Sequence, residues 1–142
     1  MYSVAICDDE NKVCAEMEQM LCAMQKQLNT TLDIEVYYTG EALCRDLEKK
    51  VHIDIIFLDI ELMKLSGIDV GHFIREGLED QSTQIIYISS KQNYALQLFK
   101  TQPFDFLVKP IGEDVLYQVM DKVTKLISSR NRIFEFQNGK EI

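Results

Sequence analysis

Apolar residues fall into short strand-like runs separated by longer stretches with helical spacing. Val4-Ala5-Ile6-Cys7 is one such run, and Asn11 to Leu28 then carries Val13, Met17, Met20, Met24 and Leu28 close to helical period. Asn29-Thr30-Thr31 breaks that period. Ile34-Glu35-Val36-Tyr37-Tyr38 partly alternates, as an edge strand does, and Gly40 to Lys50 reads as a short polar helix carrying Leu43 and Leu47. Ile53 to Leu58 is nearly all apolar, the pattern of a central strand covered on both faces. Past Ser66-Gly67, a helix carries Val70, Phe73, Ile74 and Leu78. Ile85-Ile86-Tyr87-Ile88 is a fourth strand ending at Ser89-Ser90, and Tyr94 to Phe99 a short helix. Pro103 opens a fifth strand, a position where the missing N–H breaks no ladder. Gly112-Glu113-Asp114 starts a last helix with Val115, Val119, Val123 and Leu126 on one face.

Five strands alternating with five helices predict an α/β fold, because right-handed crossovers place helices on both faces of a parallel sheet. A doubly wound, flavodoxin-like sheet of order 2-1-3-4-5 sets the first and third strands side by side. Acidic and basic residues stand where three strands run out: Asp8-Asp9-Glu10 after the first, Asp59 after the third, Lys109-Pro110 after the fifth. Ligands of open α/β sheets gather at those carboxyl ends. The tail departs from the pattern. Ser128 to Arg132 is polar and reads as a linker. Ile133-Phe134-Glu135-Phe136 alternates like a strand, and Asn138-Gly139 is a hairpin-turn signal. The expected division is therefore a domain over 1–127, a linker over 128–132 and the incomplete start of a second domain over 133–142.

The 142 residues suffice for one core, and 46% apolar content argues for a globular fold. No apolar stretch approaches the roughly 20 residues of a membrane span, and no signal-peptide pattern opens the chain, so a cytoplasmic location is expected. Cys7, Cys14, Cys22 and Cys44 form no CxxC pair and read as free thiols of a reducing compartment. A net charge of −8 makes this segment alone a poor nucleic-acid ligand. His52 and His72 match no metal motif and read as surface residues.

Three carboxylates and an ammonium at one edge suit a divalent cation together with a phosphate. A carboxylate nucleophile can form an acyl phosphate, and phosphoryl transfer depends on positioning and charge neutralisation. Asp59 is the expected nucleophile. Each residue also has a plainer reading. Asp8-Asp9 suits capping of the first helix, Asp59 a loop acid, Lys109 a solvated strand end and Ser89 a helix N-cap.

Asp8-Asp9, Asp59, Ser89 and Lys109-Pro110, after the first, third, fourth and fifth strands, resemble a response-regulator receiver domain of two-component systems over roughly residues 1–127. Cys-Asp-Asp-Glu, Phe-Leu-Asp-Ile-Glu-Leu and Tyr-Ala-Leu-Gln-Leu-Phe resemble LytTR-type regulators, and residues 133–142 resemble the first hairpin of their DNA-binding domain. The resemblance implies a phosphoacceptor, not an enzyme beyond self-catalysed phosphorylation and dephosphorylation, that takes its phosphoryl group from a histidine kinase. It implies Mg2+ held by Asp8, Asp9, Asp59 and the Glu61 backbone carbonyl, with Lys109 and Ser89 on the phosphoryl oxygens. It further implies a cis peptide before Pro110 and a switch made of Ser89 and Phe106. Phosphorylation is then expected to favour a homodimer through the fourth helix, fifth strand and fifth helix, and to control transcription through the DNA-binding domain. Phe106 reads equally as an ordinary core aromatic.

The sequence departs from the family pattern twice. Met63-Lys64-Leu65 stands where many receivers have a Pro-Gly turn, and Ser89 where threonine is commoner. The competing readings are a magnesium-dependent phosphatase with an aspartyl nucleophile and a receiver-shaped module that is never phosphorylated. The first lacks the expected DxD motif after the first strand.

Overall fold

Alternating burial explains why these runs form a sheet with two covered faces. In β1 (Tyr2–Cys7) and β3 (Ile55–Asp59), Ala5, Cys7, Ile56 and Leu58 pack to one side, while Val4, Ile6, Ile55 and Phe57 pack to the other. All five residues of β3 are buried, as its continuous apolar run predicts. Burying each large apolar side chain contributes about 1.5–3 kcal/mol, so the two faces supply the main stabilisation. The computed structural model describes residues 1–139.

β2 (Leu32–Tyr37), β4 (Gln84–Ser89) and β5 (Asp105–Val108) complete a five-stranded sheet of order β2-β1-β3-β4-β5, with every pair parallel. One face is covered by α1 (Asn11–Ala23) and α5 (Glu113–Gly139), through Met17, Leu21, Leu116, Val119 and Val123. The other is covered by α3 (Gly40–Glu48) and α4 (Gly67–His72), through Leu43, Leu47 and Val70. Thr39 caps α3 by accepting from Ala42 N at 3.1 Å, and Ser66 and Asp69 form a capping box on α4.

The helices differ from the expected five in detail. A separate short α2 (Gln25–Leu28) ends the first crossing, and α4 runs directly into a π-helical turn at Phe73–Gly77. The segment expected to be a short helix from Tyr94 is a 3₁₀ segment, Ala95–Thr101. Arg75, in the π turn, is buried; its guanidinium donates to Thr101 O at 2.8 Å and Gln102 O at 3.3 Å, which ties the turn to the far end of the 3₁₀ segment, and to Asp80 O at 2.9 Å in the following loop. β5 begins at Asp105 rather than Pro103, and Phe104 N already donates to Ile85 O at 2.7 Å.

The tail is the larger difference. α5 continues through the expected linker 128–132 and the expected strand at 133–136, up to Gly139. Ser128 Oγ lies 2.6 Å from the Tyr2 hydroxyl, which docks this stretch on the foot of β1. A helix satisfies its own backbone groups, whereas a strand takes its hydrogen bonds from a neighbouring strand. The hairpin expectation at 140–142 lies outside the described residues. Among those described, no helix is long and apolar enough to cross a membrane.

Candidate functional site

Parallel pairing brings the candidate residues to one edge. Cys7 lies opposite Leu58, so Asp8, the next residue, stands beside Asp59, the last residue of β3. Ile88 lies opposite both Asp59 and Leu107, and Ser89 closes β4. Lys109 follows β5 and must reach across β4 to meet the acids, a span that its four-carbon stem covers. Its Nζ lies 2.8 Å from Asp8 Oδ2, 3.2 Å from Glu10 Oε1 and 3.6 Å from Asp59 Oδ2. The Lys109 side chain is 14% exposed and the Asp8 and Asp59 side chains 0% and 3%, so water screens these charges weakly. The Lys109–Pro110 peptide is cis.

Electrostatics follow from crowding. Burial first, and then the Asp8 carboxylate, push the Asp59 carboxyl up to about 6, against partial relief from the Glu61 N–H and the Lys109 ammonium. Burial alone would lower Lys109, but pairing with Asp8, Asp59 and Glu10 outweighs it and holds the ammonium charged well above its usual range. Three carboxylates, Asp8, Glu10 and Asp59, thus lie within 4 Å of one ammonium, with Asp9 beside them in the chain. Asp8, Asp9 and Glu10 can each offer an oxygen within 4.8 Å of the others. Asp8 Oδ2 is buried, and its close partner is the Lys109 ammonium at 2.8 Å. An oxygen-only donor set and negative charge in excess of the single ammonium fit a hard divalent cation such as Mg2+.

The plainer reading of Asp8-Asp9 as a helix cap is weak. No side chain caps α1, whose N-cap residue is Glu10, and Asp8 Oδ1 instead accepts from Glu10 N at 2.9 Å. Asp59 Oδ1 accepts from Glu61 N at 3.1 Å, which orients the carboxylate at the mouth of the cleft. Gly67 packs directly over the Asp59 carbonyl, where any Cβ would collide with the backbone. Lys64, in the loop where the Pro-Gly turn is absent, takes a left-handed backbone at φ 63°.

The expected switch residues are placed less simply. Phe106 is half-buried, opposite Tyr87 in the register and packed against the α3–α4 side of the core. Ser89 is buried, but its hydroxyl donates to Glu61 Oε1 at 2.9 Å and accepts from Lys91 N at 3.0 Å. Ser90 Oγ and N also donate to Glu61 Oε1, at 2.9 and 3.3 Å, and with Ser89 they hold the Glu61 carboxyl below its ordinary range. Sequence reasoning missed Glu10 as a member of the carboxylate cluster and Ser90 as a donor. Glu10 was signalled as the third acid of Asp8-Asp9-Glu10; Ser90 had only its place beside Ser89. A groove of about 440 Å³ adjoins the cleft, with Val13, Met17, Met20 and Ile111 on its wall and Glu10 and Lys109 at its mouth.

A family model described as the response regulator receiver domain matches residues 4–121. The sensory transduction protein LytT of Oceanobacillus iheyensis is 28% identical over 127 residues, covering 89% of this chain and 50% of that protein. The sensory transduction protein LytR of Staphylococcus epidermidis is 32% identical over 121 residues, 83% of this chain and 44% of that one. The chain spans about half the length of the curated relatives it matches. In fold it is similar to the REC domain of AraT, a response regulator from Geobacillus stearothermophilus, with a TM-score of 0.76 at 24% identity, covering 92% of this chain and 98% of that one. The response regulatory domain of mrkE from Klebsiella pneumoniae gives 0.78 at 22%, covering 89% and 98%.

Proposed function

The chain belongs to the response-regulator receiver family of two-component systems, and from that premise we propose that it is a phosphoacceptor switch in which Asp59 is the nucleophile. The observation that carries this reading is the Lys109 ammonium set between the buried Asp8 and Asp59 carboxylates at the carboxyl end of the sheet. An Asp59 oxygen attacks the phosphorus of a phosphohistidine on a sensor kinase, and the P–N bond breaks. Its electron pair returns to the imidazole, which takes up a proton from solvent. Lys109 neutralises the transferring oxygens, and the neighbouring groove offers the donor ring an apolar wall of Val13, Met17, Met20 and Ile111.

Asp8 and Asp9 would hold Mg2+, with Asp59 and the Glu61 backbone carbonyl completing the set and Glu10 close by. The cation supplies charge neutralisation to the carboxylates and phosphoryl oxygens. The raised proton affinity of Asp59, from burial first and the Asp8 carboxylate second, is what a bound cation would offset.

A phosphoryl group adds about −1.5 to −2 charges. Ser89 turns toward it, the loop after β4 follows, and Phe106 packs inward. The altered surface is the 3₁₀ segment, β5 and α5, where Leu96 and Phe99 are exposed at 92% and 81% and Val108 and Val115 lie nearby in the same elements. Two copies pair there on phosphorylation, and a LytTR-type DNA-binding domain, beginning in 133–142 after the 128–132 segment, carries the output to transcription. The protein works in the cytoplasm.

Intact-mass measurement after incubation with Mg2+ and a small phosphodonor tests the reading. One phosphoryl increment is expected in the native chain and none in Asp59→Asn. No increment in either, or the same increment in both, overturns it. Sedimentation with a fluoroberyllate mimic tests the dimer, which unchanged monomers in both samples would refute.

A further inference from the structure

Three donors converge on one half-exposed carboxylate at the mouth of the cleft. Glu61 Oε1 accepts from Ser89 Oγ at 2.9 Å, from Ser90 Oγ at 2.9 Å and from Ser90 N at 3.3 Å, while Lys91 Nζ stands 3.8 Å from Oε2. Lys91 N donates to Ser89 Oγ at 3.0 Å, which fixes the lone pair of that hydroxyl and leaves its proton aimed at Glu61. Hydroxyls, a backbone N–H and an ammonium at this density form a cradle for an oxyanion. Here the oxyanion is part of the chain itself.

A serine hydroxyl has one proton to donate. Ser89 has committed it to Glu61, so it is not free to donate to a phosphoryl oxygen on Asp59. Glu61 is also held close by its own backbone, since its N–H donates to Asp59 Oδ1 at 3.1 Å. The two anions that would compete for Ser89 are therefore two residues apart on one short, fixed stretch of chain.

We propose that Glu61 is an internal latch: its carboxylate occupies the donors of the Ser89–Lys91 turn in the unphosphorylated protein and competes with the phosphoryl group for them. The inference rests on the phosphoacceptor reading of Asp59. When a phosphoryl dianion forms on Asp59, like charges repel, the Ser89 hydroxyl turns its hydrogen bond to a phosphoryl oxygen, and Glu61 swings into solvent, a move its 31% exposed side chain can make. Release of the latch is then one step of switching. The resting loop conformation is held by a specific acid rather than left unconstrained.

Titration of the full chain with Mg2+, beryllium and fluoride, followed by the 19F signal of bound fluoroberyllate, tests this in the native protein, Glu61→Ala and Glu61→Asp. Aspartate keeps the charge beside Asp59 but is one methylene too short to reach the Ser89–Ser90 donors. Both variants leave the Glu61 backbone carbonyl in place. The latch predicts about tenfold tighter half-saturation in both, since the competing charged hydrogen bonds are lost in each. It also predicts an upfield shift of the Ser90 amide proton in both variants before any fluoroberyllate is added. In a Ser89→Ala background, the gain from Glu61→Asp should vanish. Glu61→Asp binding like the native protein, with only Glu61→Ala tighter, would mean simple charge repulsion and overturns the latch. A native chain that binds no fluoroberyllate overturns the phosphoacceptor reading and the latch with it.

Discussion

Replacing Asp59 by asparagine should stabilise the metal-free protein at neutral pH, although it removes the residue on which function depends. The carboxyl is lifted from 3.8 to about 6, by burial first and by the Asp8 carboxylate second. A raised carboxyl pKa in the folded state means that the unfolded chain ionises first. Stability therefore falls as pH rises through the window from about 4 to about 6 and is flat above it. Roughly two pKa units at 1.36 kcal/mol each set a ceiling of about 3 kcal/mol. The cleft opens to water past the exposed Asp9 and Glu10, and screening reduces this to about 1–2 kcal/mol. Asparagine is nearly isosteric. Its oxygen can still accept from Glu61 N, and Lys109 keeps Asp8 and Glu10 as partners. Thermal unfolding in chelator at pH 7.5 should show Asp59→Asn melting about 3–6 °C above the native protein, a gap that closes near pH 4. Added Mg2+ should raise the native melting point more than that of the variant. A variant less stable at pH 7.5, or a gap that ignores pH, would refute the electrostatic account of the site.

Lys109→Met leaves Asp8 and Asp59 facing each other without a counter-charge; urea unfolding at pH 7.5 should show a loss of about 1–3 kcal/mol, and intact mass no phosphoryl uptake. Native-like stability of that variant would show that the ammonium is not needed to hold the acids together. Gly71→Ala drives a methyl into the Tyr87 hydroxyl, which sits 2.7 Å from Thr101 Oγ1 beneath the 3₁₀ segment. A cost of about 1–3 kcal/mol is expected, with much of it recovered by adding Tyr87→Phe. A neutral Gly71→Ala would mean that α4 and β4 are less closely packed than described.

Strand positions and strand order were legible because each rests on local information. A run such as Ile55-Ile56-Phe57-Leu58 shows burial on both faces, and parallel connectivity limits the orders open to it. The convergence of Asp8, Asp59 and Lys109 followed from that order, since all three sit where strands end. What escaped depends on partners distant in sequence. The π turn at Phe73–Gly77 carries Arg75, which reaches Thr101 and Gln102, 26 and 27 residues away, and no local period encodes those bonds. The Ser89 hydroxyl could be assigned a site but not a direction; its present acceptor, Glu61, is 28 residues distant. At 133–136 the alternation in Ile133-Phe134-Glu135-Phe136 suggested a strand, whereas α5 runs on to Gly139; strand formation depends on a second strand, which local alternation does not report.

The central claim is that, among four clustered carboxylates, Asp59 alone takes the phosphoryl group. Borohydride reduces an aspartyl phosphate to homoserine and leaves free carboxylates untouched, so peptide sequencing by mass spectrometry after phosphodonor, Mg2+ and borohydride reads the acceptor directly. The account predicts homoserine at position 59 and unmodified aspartate at Asp8 and Asp9. Homoserine at position 8 or 9, or at none of the three, would contradict it.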